Sequence, residues 1–153
     1  MHVNADLARI APSLVGSGRP CVDGKSLSVD GARFLVKGVT YGTFAPDAAG
    51  HQFPTADRIA QDFGLMAQHG VNTVRVYTLP PMSLLDTAAA HGLRVIAGVP
   101  WTQHVAFLDD AKLTASIRRQ MVADVRQMAG HPALLMAALG NEIDPVSGLK
   151  LEG

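Results

Sequence analysis

Hydrophobic positions along this chain alternate between two periods, and the order of those periods predicts the fold. Residues 1–26 carry Pro12, Gly16, Gly18, Pro20 and Gly24 and no sustained period, which predicts an irregular lead-in. Leu27-Ser28-Val29 and Arg33-Phe34-Leu35-Val36 flank Asp30-Gly31, a two-residue hairpin signal. The second arm continues through Val36-Lys37-Gly38-Val39-Thr40, the first candidate strand of a larger sheet. Helical spacing then takes over. Thr55 caps a helix with Ile59, Phe63 and Met66 on one face and Gly70 as its stop. Pro81 suits the first turn of a second helix carrying Leu84, Leu85, Ala88 and Ala89 and ending at Gly92. A third, from Ala111 to Ala129, aligns Leu113, Ile117, Met121, Val125 and Met128, with Gly130 and Pro132 as terminators.

Short apolar runs lie between and after these helices, at Asn72 to Tyr77, Leu93 to Val99 and Leu134 to Leu139. The resulting β-α-β-α-β-α-β order implies right-handed crossovers and a parallel sheet. A doubly wound open sheet and part of a (β/α)8 barrel share this pattern, and the loops separate them. After the first strand, Gly38-Val39-Thr40-Tyr41-Gly42-Thr43-Phe44 is neither a dinucleotide fingerprint nor a phosphate loop. The segment from Tyr41 to Thr55 is instead long and bulky, where such connections usually take two to six residues. The expected architecture is an α/β (β/α)8 barrel cut to strands one to four behind a β-hairpin. The corresponding division is a lead-in at 1–26, the half-barrel at 27–143 and an irregular tail at 144–153 that reads as a truncation.

Composition narrows the partners. Thirteen basic and thirteen acidic residues cancel, so no charge excess points to nucleic acid or an anionic membrane. The most apolar run, Pro132 to Gly140, is far short of the roughly 20 residues a spanning helix needs. No leader-like segment is evident at the amino terminus, and a cytoplasmic location is the expectation. Cys21 is the lone cysteine. The histidines have no metal-ligand spacing, and no serine-elbow motif occurs, so neither metal, cofactor nor serine chemistry is expected.

Candidate chemistry gathers at the carboxyl ends of the strands, where parallel barrels build their active sites. The fourth strand runs into Gly140-Asn141-Glu142, and the only other glutamate is Glu152. A carboxyl beside an amide at that position suits protonation of a leaving-group oxygen while the amide binds a neighbouring hydroxyl. Within Asn72-Thr73-Val74-Arg75-Val76-Tyr77, alternation puts Thr73, Arg75 and Tyr77 on the face opposite Val74 and Val76. An inward Arg75 could hold a catalytic carboxylate ionised and oriented, or pair with a structural acid. Tyr41, Phe44, Phe53, Tyr77, Trp101 and Phe107 all fall at or just past strand ends, as sugar-stacking or mouth-covering aromatics would. His104 follows Trp101 and could bond a sugar hydroxyl. Asp109 and Asp110 read as capping acids of the third helix, and His131 as a structural residue at a helix-to-strand joint.

These segments together resemble the retaining glycoside hydrolases of the (β/α)8-barrel clan that includes β-galactosidases, β-glucuronidases, β-mannosidases and cellulases. Phe34 to Val39 looks like their approach to the first strand. Asn72 to Tyr77 looks like their arginine strand, and His131 to Glu142 like their fourth strand ending in Asn-Glu. Tyr77-Thr78-Leu79-Pro80-Pro81 and Gly98-Val99-Pro100-Trp101 look closer to bacterial β-glucan hydrolase or glucanosyltransferase barrels. The resemblance implies that Glu142 is the acid/base, Asn141 binds the substrate 2-hydroxyl and Arg75 contacts the nucleophile. Tyr41, Tyr77, Trp101 and His104 would meet a carbohydrate substrate. The family nucleophile, a glutamate ending the seventh strand, has no counterpart here, so the chain alone is expected to be inactive. Transglycosylation on the same barrel, or a non-catalytic half-barrel that binds carbohydrate or self-associates, are the alternatives.

Overall fold

The same device ends the first two helices and launches the strand that follows each. In the computed structural model, which describes residues 18–50, 52–100 and 110–140, helix α1 spans Ala56–Gln68 and α2 spans Met82–Ala90. Gly70 and Gly92 adopt φ of 79° and 73° directly after the helix caps His69 and His91. Val71 N–H then reaches back to the Met66 carbonyl and Gly70 N–H to that of Ala67; Leu93 to Ala88 and Gly92 to Ala89 repeat the pattern. These paired bonds satisfy carbonyls that would otherwise be orphaned at a helix end, and glycine supplies the left-handed turn without a Cβ penalty. At the other end of α1, Thr55 Oγ1 accepts from Arg58 N. Pro81 stands just outside α2 as its N-cap, one position earlier than expected. Helix α3, Ala111–Met128, is capped by Asp110, whose carboxylate accepts from Lys112 N and Leu113 N.

Four parallel strands form the main sheet: β4 (Gly38–Thr40), β5 (Thr73–Val76), β6 (Arg94–Val99) and β7 (Leu134–Leu139), in that spatial order. Partners in register include Val39 with Val74, Thr40 with Arg75, Arg75 with Ile96, and Ile96 with Met136. Paired residues share a face, so two layers separate. Val74, Val76, Val95, Ala97 and Val99 are buried beneath the helices with Ile59, Phe63, Leu84, Leu85 and Ala88. The opposite face carries Thr40, Arg75, Ile96 and Met136 and is covered much less, Thr40 and Met136 being exposed. An eight-stranded barrel would bury that second face in its interior. Of the expected α3 stripe only Met128 is fully buried, Met121 and Val125 packing partly on the core.

A second, antiparallel sheet precedes the first: β1 (Cys21–Asp23), β2 (Ser26–Val29) and β3 (Ala32–Phe34), in the order β1-β2-β3. Asp30 and Gly31, with φ of 52° and 75°, make the mirror-image turn that suits strand twist. Strand β1 lies within the stretch expected to be irregular. The segment that leads into this sheet is held to the amino-terminal end of the barrel strands by Arg94, the first residue of β6. Arg94 is 1% exposed, and its guanidinium donates to the carbonyls of Gly18 and Pro132. Burial lowers the affinity of Arg94 for its proton, and the carboxylate of Asp30 partly offsets this. Asn72 makes a second tie, its side chain accepting from Lys37 N and donating to the Leu35 carbonyl.

Candidate active site and family

Arg75 and Tyr77 come together at the carboxyl end of β5. Two residues apart, they lie on the sparsely covered face, and the guanidinium carbon sits 4.7 Å from the centre of the tyrosine ring. A cation at that distance is attracted to the ring face and held in place by it. Both side chains are half-buried, so the pair is packed on one side and open on the other.

Tyr41 does not join them. It follows Val39 by two residues and faces the helix layer, 6% exposed, edge-on to Phe44 at 4.9 Å and Phe63 at 5.1 Å. Its hydroxyl donates to Asp62 Oδ2 at 2.9 Å, and Asp62 is also held by Arg58. Burial, reinforced by the hydrogen bond to Asp62, pushes the Tyr41 phenol well above its usual range. A ring so enclosed fastens the first strand to α1. The expectation that Tyr41 contacts substrate is thus corrected by strand alternation: position 41 shares the side of Val74 and Val76, opposite Arg75.

Strand β7 delivers the chain to the same end of the sheet, where Gly140 N–H bonds to the Val99 carbonyl at 3.3 Å. Asn141 and Glu142 follow, and with Trp101 and His104 they lie outside the described residues. A cleft of about 620 Å³ runs between the β4–α1 loop and the start of α2, with Phe53, Thr55, Leu79 and Pro81 in its walls. Among the described residues of the candidate site, neither Arg75 nor Tyr77 lines it.

Two residues near the strands carry a constraint that the expected site omitted. Gly98 lies beside Tyr77, and a Cβ at position 98 would fall 2.2 Å from the Tyr77 carbonyl oxygen. A glycine inside an apolar strand is the available signal, since it often marks close backbone approach. The other is Arg94, whose place at the start of an apolar strand could have suggested a buried tie. His131 bridges as expected of a structural residue, with Nδ1 accepting from Ala133 N and Nε2 3.1 Å from Asp86. Among the described residues no cluster of metal-binding side chains occurs, and no described helix is long and apolar enough to cross a membrane.

Residues 21–151 match the family described as glycosyl hydrolases family 2, TIM barrel domain. The chain belongs to that family. Solved structures agree on the fold of this family 2 barrel domain. A β-glucuronidase from Parabacteroides merdae aligns over 84% of this chain and 15% of its own, at 24% identity and a TM-score of 0.59. For a β-glucuronidase from Ruminococcus gnavus in complex with a C6-substituted uronic isofagomine, the shares are 85% and 23%, at 16% identity and a TM-score of 0.65. Gas2, solved in complex with a compound, aligns over 82% and 31%, at 19% identity and a TM-score of 0.61. The chain therefore spans between about one-seventh and one-third of the length of these proteins. No curated protein matches it.

Proposed function

We propose that this chain carries the acid/base half of a retaining glycoside hydrolase acting on a β-linked oligo- or polysaccharide. The observation that supports this most is the Arg75–Tyr77 pair at the carboxyl end of β5, on the open face, in a chain of the family 2 barrel. In this reading the barrel half occupies 27–143, and the lead-in adds β1. Glu142, following β7, protonates the glycosidic oxygen, and Asn141 binds the 2-hydroxyl of the sugar. Arg75 orients the opposed carboxylate that attacks the anomeric carbon, roughly 5–5.5 Å from the acid in retaining enzymes. Tyr77, Trp101 and His104 meet the sugar. Water completes hydrolysis; a sugar acceptor in its place gives transglycosylation by the same intermediate. No cofactor enters.

One observation favours a second reading, a non-catalytic half-barrel that self-associates or binds carbohydrate. Val39 on β4 and Met136 and Leu139 on β7, the two edge strands, are among the exposed large apolar residues. Unpaired edges of this kind invite another sheet.

The test is an NMR titration of the chain with cellobiose and with laminaribiose, paired with an aryl β-glycoside assay of wild type and Glu142→Gln. Expected are shifts at the Arg75 Nε–H and Tyr77 signals, none at Tyr41, and no turnover by either protein. Silence at Arg75 and Tyr77 with both disaccharides would overturn the carbohydrate reading. Turnover abolished by Glu142→Gln would show a complete site, assembled across copies.

A further inference from the structure

Gly98 is buried in β6 on the same face as Ile96, and its φ lies outside the left-handed region, so φ does not call for glycine here. Space is what requires the glycine. A Cβ there would meet the Tyr77 carbonyl oxygen at 2.2 Å, its carbonyl carbon at 2.4 Å and its Cα at 2.8 Å. Those atoms are backbone and have no rotamer by which to yield. As the chain leaves β5 it thus passes directly over position 98, and this path sets where the Tyr77 ring begins. The ring in turn lies against the Arg75 guanidinium at 4.7 Å.

We infer that Gly98 is a positioning residue for the Arg75–Tyr77 pair: its bare Cα lets the Tyr77 backbone lie across β6 and so holds the ring under the guanidinium. The inference rests on the reading that this pair faces substrate. Its physical basis is that functional side chains are placed by the contacts of the residues behind them, and that small displacements spoil a binding geometry. Gly64 makes the contrast, since a Cβ there would meet the nearest atom, on His91, at an ordinary 3.5 Å.

NMR of the intact chain tests this without any sugar. A guanidinium packed on a ring face carries an upfield ring-current shift at Arg75 Nε–H, identified by its loss in Tyr77→Leu. Gly98→Ala should abolish that shift while leaving the methyl signals of Leu84 and Val95 in the helix layer unmoved; Gly64→Ala should preserve it. A Gly98→Ala protein that keeps the shift overturns the inference. If Gly98→Ala does not fold, wild-type contacts between the Gly98 and Tyr77 α-protons decide: their presence supports the close crossing and their absence overturns it. Should both disaccharides leave the pair unmoved while the ring-current result holds, the substrate reading fails and the positioning role stands.

Discussion

Replacing Arg94 with methionine should destabilise the chain by about 2–4 kcal/mol. The side chain is 1% exposed and donates to two backbone carbonyls, Gly18 in the lead-in and Pro132 before β7. A buried acceptor stripped of its donor costs roughly 1–3 kcal/mol, and hydrogen bonds from a charged group lie at the upper end of the usual scale. Working against this is the cost of burying the guanidinium, visible in its weakened proton affinity, which the methionine variant no longer bears. Methionine fills much of the same volume, so a cavity adds little. The loss should appear in urea unfolding as a lower midpoint with an unchanged slope. At a slope of about 1.5 kcal/mol per molar, typical of small domains, about 3 kcal/mol moves the midpoint by about 2 M. Arg94→Lys should fall between, since an ammonium keeps the charge but lacks the fork that reaches two carbonyls. A methionine variant within about 0.5 kcal/mol of wild type would refute the idea that this arginine ties the lead-in at Gly18 to the start of β7.

Tyr41→Phe should cost about 1 kcal/mol in thermal or urea unfolding, because it removes the bond to Asp62 but leaves the packing on Phe44 and Phe63. Phe63→Ala, at a fully buried site between α1 and the sheet, should cost about 3–5 kcal/mol, and a loss under about 1 kcal/mol would contradict the core assignment. Asp62 predicts a pH dependence. Burial raises its carboxyl, but bonds from Arg58 and Tyr41 outweigh this and hold it below the usual carboxylate range. A carboxyl lowered on folding contributes stability that is present above its unfolded value, near 3.9, and is lost as pH falls through the folded value. Asp62→Asn should therefore flatten the acid limb of the stability curve, and an unchanged limb would exclude Asp62 as a contributor.

Helix positions were legible because their signals are local. Thr55 and Asp110 cap through their own side chains, and Gly70 and Gly92 supply turns that other residues resist. The alternation in Val74, Arg75, Val76 and Tyr77 likewise separates the two faces of β5, because a strand reverses its side chains at every step. What escaped depends on distant segments. Strand β1 has three residues between Pro20 and Gly24, too few for any period to register, and its pairing with β2 defines it. A place after a strand suggests the mouth for Tyr41, whereas its side is set by continuing the alternation from Val39. The start of an apolar strand hints that Arg94 is buried, but its partners, the carbonyls of Gly18 and Pro132, lie 76 and 38 positions away and meet it only in the fold. Gly98 is explained by the path of Tyr77, which only the folded sheet reveals.

If Glu142 shares one mouth with Arg75 and Tyr77, a spin label at position 142 will broaden the signals of both. Cys21, the lone cysteine, is exposed and can be replaced by serine, so that Glu142→Cys carries the only label. Two guanidinium signals then report on the two faces of the sheet, Arg75 on the open face and Arg58 in the helix layer beside Asp62. Paramagnetic broadening should be strong at Arg75 Nε–H and Tyr77 and markedly weaker at Arg58 Nε–H. Stronger broadening at Arg58 than at Arg75 would place Glu142 on the helix side and contradict its role as the acid/base.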